Sequence, residues 1–151
     1  MQEWNMNEND TFEWALEDTM RLQPPVVYYA IKGLGSKLAS DHVRFMDADS
    51  DKVDFYDPFA PSITTEQETN GAVAAFYPGV LERIYQMVGN DFYLVFSSTL
   101  DVHIHPVDGG IKVKDMRRTL DDMNRNANRR DEILSRQIYR YSGELREITV
   151  V

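Results

Sequence analysis

Short strand-like segments separated by turn residues make up much of the second half of this chain. Residues 92–96 form an apolar run, which predicts a buried strand, and residues 100–105 alternate between polar and apolar side chains. Residues 137–141 and 145–150 are joined through Ser142-Gly143, a pattern typical of a hairpin. Hairpins connect neighbouring strands without a long crossover. The pattern therefore favours an antiparallel or mixed sheet.

Three segments have the apolar spacing of amphipathic helices. They lie at residues 11–22, 80–88 and 112–127. Pro24-Pro25 ends the first helix, and Gly89 suits the left-handed conformation that ends the second. The predicted fold class is therefore α+β, with two to three helices packed on one face of a sheet built from hairpins.

The first half of the chain gives weaker signals, which we interpret as strands and turns. Residues 26–31 are β-branched and aromatic and predict a strand. Residues 42–46 and 52–56 both alternate polar and apolar side chains around an Asp-rich loop, which predicts a hairpin. A short extended piece is expected at residues 62–64, and a further strand is expected at the start of the second half, at residues 72–77.

The length predicts one domain that spans residues 1–151. Within it we expect a frayed start at residues 1–8, an acidic N-terminal half at residues 9–70 and a second half at residues 71–151. A hydrophobic fraction of 42% is enough for a core and argues against global disorder.

Composition excludes several classes of protein. The chain has no cysteine, so disulfide frameworks, thiolate zinc sites and cysteine nucleophiles are ruled out, and we expect no cofactor. No apolar run reaches the roughly 18 residues of a membrane helix, and the N-terminus has no basic region followed by an apolar one. These features predict a cytoplasmic protein that does not bind membranes.

Charge is divided unevenly along the chain. Residues 1–70 hold 14 acidic and 5 basic residues, a net charge of −9, whereas residues 71–151 hold 11 of each. The densest segment is residues 41–68, where eight acids face two bases. Such a segment repels nucleic acid and attracts a basic protein groove, so we expect a protein partner and no direct binding of duplex nucleic acid.

The predicted docking surface consists of seven carboxylates on and beside the predicted hairpin. They are Asp47, Asp49, Asp51, Asp54, Asp57, Glu66 and Glu68.

Three segments of the chain, at residues 70–81, 89–98 and 134–141, together resemble a family of bacterial proteins, domain-of-unknown-function family 5688. In that family an Asn-Gly-Ala segment leads into Tyr-Pro and a helix, as at residues 70–81 here. The family then has a strand that begins Gly-Asp-aromatic-aromatic, to which residues 89–98 are similar, and residues 134–141 are similar to its end. The resemblance covers about residues 62–151. The resemblance implies that the protein is accessory cargo of a bacterial phage or mobile element. It does not point to a particular activity, because none is established for the family.

A second candidate site lies on the predicted strand at residues 100–105. Asp101, His103 and His105 point the same way on a strand, and Asp108 follows closely. Two imidazoles and carboxylate oxygens are a workable ligand set for zinc, which lowers the pKa of a bound water for hydrolysis. The simpler interpretation is that these polar residues face water, and we therefore expect no metal site.

The sequence thus leaves three functions open. The first is a non-catalytic acidic binding protein, whose concrete form is a counter-defence inhibitor that mimics nucleic acid in the basic groove of a CRISPR-type nuclease. The second is a metal-dependent hydrolase that uses Asp101, His103, His105 and Asp108. The third is a subunit or homodimeric module of a larger complex that associates through a sheet edge.

Overall fold

The computed structural model of the protein describes residues 7–28, 42–47, 53–57, 61–126 and 128–151. Three α-helices, six strands and two 3₁₀ helices occur in these ranges. In chain order they are α1 (Glu8–Leu22), β1 (Pro25–Tyr28), β2 (Ser62–Thr65), a 3₁₀ helix (Gly71–Phe76), α2 (Val80–Val88), β3 (Phe92–Phe96), β4 (Val102–Pro106), α3 (Val113–Asn126), a 3₁₀ helix (Arg130–Glu132), β5 (Tyr139–Ser142) and β6 (Glu147–Val150).

The six strands form a single sheet in the order β1-β2-β4-β3-β5-β6, and every pairing is antiparallel. The predicted α+β class is confirmed, and the sheet is antiparallel rather than mixed. Because β1 pairs with β2 and β2 pairs with β4, the acidic half and the second half share this sheet. The described residues therefore form one structural unit.

Helices cover both faces of the sheet, whereas the sequence predicted one covered face. On β3, Leu94 belongs to the core cluster that contains Ile84 of α2. Its neighbour Val95 belongs to a second cluster with Met116 and Leu120 of α3. Successive side chains on a strand point to opposite faces, so β3 is buried from both sides.

Several local predictions are confirmed to within a few residues. Gly89 ends α2 with φ of +75°, in the left-handed conformation that its position predicted. The hairpin of β5 and β6 lies where the Ser142-Gly143 turn placed it. The helix predicted at residues 11–22 begins earlier, at Glu8, because the Asn7 side chain accepts a hydrogen bond from the Asp10 backbone N–H at 2.9 Å.

The strand predicted at residues 72–77 is wrong, since residues Gly71–Phe76 form a 3₁₀ helix. This helix packs closely on β2 through small residues. A Cβ on Gly71 would overlap the backbone carbonyl oxygen of Leu100, so the chain can pass there only with glycine. The buried Ala72, Ala74 and Ala75 also belong to the core.

The hairpin predicted at residues 42–46 and 52–56 is also wrong for its described residues. Val43 pairs with Val27 of β1 through two backbone hydrogen bonds of 2.8 and 2.9 Å. Phe45 and Phe55 lie in turns and bury their rings in the core. The polar–apolar alternation thus arises from two turns that each insert an aromatic ring.

Candidate functional site

Helix α1 lies on the surface and carries much of the described acidic charge. None of its 15 residues is buried, and Leu16 and Met20 are half-buried against the core. Its acidic residues lie on the other faces, and the only basic residue, Arg21, forms an ion pair of 2.8 Å with Asp18. The helix therefore presents a net negative face to solvent.

Sequence reasoning missed an exposed aromatic residue on this helix. Trp14 is 56% exposed and Phe12 is 63% exposed, although large apolar side chains are usually covered when they lie on a core-facing stripe. The sequence carried part of this signal, because Trp14 is out of phase with Leu16 and Met20, which pack on the core, whereas Phe12 is in phase with them and is exposed all the same.

Two of the seven predicted docking carboxylates have a basic side chain as a partner in the structure. Glu66 pairs with the Arg44 guanidinium at 2.5 Å, and Glu68 lies 2.8 Å from the His42 imidazole. These pairs attach residues 42–44 to the end of β2. Arg44 is one of the two bases already counted against the eight acids of residues 41–68, so the pair with Glu66 leaves the net charge of this segment unchanged.

Three of the other five predicted docking residues lie within the described residues. Asp47, Asp54 and Asp57 lie in or beside turns, and the Asp54 carboxylate accepts a hydrogen bond from the backbone N–H of Tyr56 at 2.9 Å. Asp49 and Asp51 lie outside the described residues. The structure therefore describes five of the seven predicted docking residues. It describes the acidic surface of α1 in full.

The two histidines of β4 share a face, as the strand pattern predicted. Their rings stack with centroids 6.4 Å apart and an interplanar angle of 17°. His103 is further positioned by Ser62 on the neighbouring strand, whose Oγ lies 2.8 Å from Nδ1 of His103. Antiparallel pairing places Ser62 directly opposite His103 in the sheet.

The carboxylates of the predicted metal set have other partners. Asp101 accepts hydrogen bonds from the hydroxyls of Tyr28 and Ser97. Asp108 accepts one from the Tyr56 hydroxyl at 2.9 Å. Within the parts of the chain that the structure describes, no three His, Cys, Asp or Glu side chains are grouped to hold a metal ion.

Burial sets the chemistry of this strand. Burial, with a smaller contribution from His103, lowers the pKa of the His105 imidazole from 6.5 to about 4, so His105 is neutral at pH 7. Burial and the adjacent Asp101 carboxylate raise the pKa of the Tyr28 hydroxyl above its usual range. Ser62 and Ser97 are themselves buried, so their hydroxyls serve as hydrogen-bonding groups rather than accessible nucleophiles.

An apolar groove of about 290 Å³ lies beside the last strand of the sheet. Its exposed members include Phe76, Leu134 and Ile148, each between 38% and 49% exposed. Residues of β6 are all exposed, and among the described strands β6 pairs with β5 alone. Ile148 belongs to both the groove and the open strand edge. The groove is lined by Phe76, Phe96, Leu134, Ser135, Tyr139 and Ile148.

The fold and these surfaces define a small α+β protein with an exposed acidic helix and a sheet on which Ser62, Asp101 and His103 form internal hydrogen bonds. The chain belongs to a family of unknown function, DUF5688, whose family model matches residues 1–143. The resemblance seen at residues 62–151 therefore extends over the acidic half as well, and β6 follows the matched region. Comparisons with curated proteins and with solved structures gave no match.

Helices in the described ranges are all too short or too polar to cross a membrane.

Proposed function

We propose that this protein is a non-catalytic binding protein whose acidic N-terminal half docks on a basic surface of a partner protein. The observation that carries the proposal is the segregation of charge, with −9 on residues 1–70 and no net charge on residues 71–151. A one-sided distribution steers association with an oppositely charged surface and lowers the rate of encounter with acidic ones.

The exposed carboxylates of α1 support this proposal. Among the described residues, no Lys, Arg or His forms an ion pair with four acids of this helix. These four are Glu8, Asp10, Glu13 and Glu17. A basic partner would therefore interact with carboxylates that need not first break an ion pair within the described structure.

The metal-dependent hydrolase has less support. Asp101 and Asp108 already accept hydrogen bonds from tyrosine or serine hydroxyls, and the lowered pKa of His105 reflects a buried ring. The counter-defence inhibitor is a narrower form of the binding proposal. The same acidic surface would serve it, and identification of the partner would decide it.

Self-association is the second candidate function, and the open edge of β6 supports it. Ile148 and Val150 are exposed on this edge beside the apolar groove, and such edges pair with further strands. If two copies associate there, sedimentation equilibrium should give a dimer whose dissociation constant rises in Ile148→Asp. A monomer at high micromolar concentration would rule this candidate out.

The experiment that tests the binding proposal is affinity capture from a lysate of the source cells, with two variants of equal net charge. The α1 variant carries Glu8→Gln, Asp10→Asn, Glu13→Gln and Glu17→Gln. The matched control carries Asp122→Asn, Asp131→Asn, Glu144→Gln and Glu147→Gln, all at exposed positions of the second half. Both variants have a formal charge of −5, since each removes four carboxylates from a chain of −9.

We expect wild type and the control to retain the same protein with a basic surface, and the α1 variant to lose it. Equal retention by all three proteins would contradict the proposal. Equal loss from both variants would show that net charge, rather than the acidic half, determines binding.

A further inference from the structure

Trp14 lies on the side of α1 that faces away from the body of the protein. Leu16 and Met20 mark the inward side, because they pack against the core. Successive residues of an α-helix are separated by about 100° around the axis, which places Trp14 about 160° from Leu16. Its exposed fraction of 56% agrees with an indole that no other described element covers.

Carboxylates frame this indole along the helix. Asp10 lies one turn before Trp14, and Glu17 and Asp18 lie one turn after it. Residues three and four positions apart are neighbours on a helix surface, so these side chains surround the ring at its two ends. Asp18 is paired with Arg21, whereas Asp10 and Glu17 form no ion pair with a described residue.

We propose that Trp14 is the apolar anchor of the acidic surface, and that its partner is a basic protein segment in which Lys or Arg residues border an apolar slot. This inference rests on the proposed function and names the chemistry of the partner. Tryptophan is enriched among residues that dominate binding energy, because it buries a large rigid area at a small entropic cost. The surrounding carboxylates match a basic border, which would pair with them as the indole is buried.

The frame of carboxylates selects against other partners with apolar surfaces. An anionic membrane would bring headgroup phosphates against Asp10 and Glu17, and a nucleic acid would do the same with its backbone. A purely apolar protein surface would have to desolvate these carboxylates without compensation, which costs free energy. A segment that is both basic and apolar can bury the Trp14 indole and also pair with the carboxylates beside it.

The test uses two fluorescein-labelled synthetic peptides of equal length and charge. One alternates Lys with Leu, and the other alternates Lys with Ser, so they differ only in apolar content. Dissociation constants are measured by fluorescence anisotropy at low salt for wild type and for Trp14→Ala, Trp14→Phe, Leu22→Ala and Leu134→Ala. Leu22 is the matched control, since it is an apolar residue of α1 that is 73% exposed and lies outside the frame of Trp14.

We expect wild type to bind the Lys/Leu peptide at least about tenfold more tightly than the Lys/Ser peptide. Trp14→Ala should lose this preference, Trp14→Phe should keep part of it, and Leu22→Ala should keep all of it. In a Trp4→Phe background Trp14 is the sole tryptophan, and its emission should shift to shorter wavelength with the Lys/Leu peptide alone.

The outcomes separate this inference from the proposal on which it rests. If neither peptide binds wild type at low salt, the proposed function fails. If both peptides bind wild type equally, or if Trp14→Ala keeps the preference, Trp14 is not the apolar anchor. The proposal that the acidic half binds a basic partner would still hold. Loss of the preference in Leu134→Ala rather than Trp14→Ala would assign the apolar contact to the groove beside β6 and overturn the inference.

Discussion

Helix α1 and the centre of the sheet are stabilised in different ways. In the sheet, Phe92, Leu94 and Ile104 are fully buried between packed helices and neighbouring strands. Helix α1 buries none of its 15 residues and depends on Leu16, Met20 and its N-cap. A helix of this length is marginal without tertiary packing, so α1 should open at a lower free energy than the sheet.

This difference explains where binding chemistry can lie. On one face of the sheet, the side chains of Ser62, Asp101 and His103 already form internal hydrogen bonds. The outward side chains of α1 make few such contacts, so they can change partners at little cost to the fold. The molecule therefore has a stable sheet that carries an exposed acidic helix.

The largest effect is expected when the core of the sheet is truncated. Leu94→Ala removes a fully buried side chain from β3 and should lower the free energy of unfolding by about 2–5 kcal/mol. Leu16→Ala on α1 should cost less than half as much, because Leu16 is only half-buried. Urea denaturation of both variants checks this, and equal costs would contradict the difference between the two regions.

The next effect concerns the hydrogen bond that joins β1 to the turn before β4. Asp101→Ala removes the carboxylate that accepts from the hydroxyls of Tyr28 and Ser97, although Ser97 keeps the backbone carbonyl of residue 101 at 3.3 Å, and it should destabilise the protein by about 1–3 kcal/mol. Tyr28→Phe removes one donor and should cost less. A double-mutant cycle measures their coupling, and additive costs would mean that this bond contributes nothing to holding β1 on the sheet.

A pH-dependent effect should follow from His105. Its pKa is lowered in the folded state, to about 4 from 6.5, so the neutral form favours folding and the charged form opposes it. The stability advantage is present above pH 6.5 and is lost as pH falls toward 4. His105→Gln should therefore be less sensitive to acid than wild type over that interval. Thermal melts of the two proteins between pH 7 and 4 provide the measurement, and parallel curves would contradict the assignment.

The smallest effect should be confined to the end of α1. Asn7→Ala removes the side chain that accepts from the Asp10 backbone N–H, which is worth about 1 kcal/mol to a helix end. Hydrogen exchange should accelerate for amides of α1 while amides of β3 and β4 stay unchanged. Asn9→Ala, within the same helix, is the control. Faster exchange throughout the sheet would show that α1 and the core unfold together.

Local patterns predicted the elements whose signals lie close together in the chain. The apolar stripe of residues 80–88 with Gly89 at its end specified α2, and the Ser142-Gly143 turn specified the last hairpin. The strand predicted at residues 72–77 was wrong, because a run of small apolar residues fits either a strand or a buried 3₁₀ helix. Close approach of Gly71 to the Leu100 carbonyl decides between them, and that is a tertiary constraint.

The candidate site was only partly predictable for the same reason. Side chains at every second position of a strand share a face, which predicted that His103 and His105 lie together, and the structure confirms this. The pairing of Tyr28 with Asp101 spans 73 residues, so no local pattern could show that Asp101 is already used. Likewise, the ion pair between Arg44 and Glu66 depends on how residues 42–44 meet the end of β2.

The central claim is that the acidic half, rather than the net charge of the whole chain, directs binding to a basic partner. The most direct test is the rate of association with the captured partner as ionic strength is raised, for wild type and the two variants of equal net charge. We predict a steep fall in rate for wild type and for the second-half control, and a lower rate with a shallower salt dependence for the α1 variant, whose residues 1–70 keep a net charge of only −5. Identical salt dependence in the α1 variant and the control would contradict the claim.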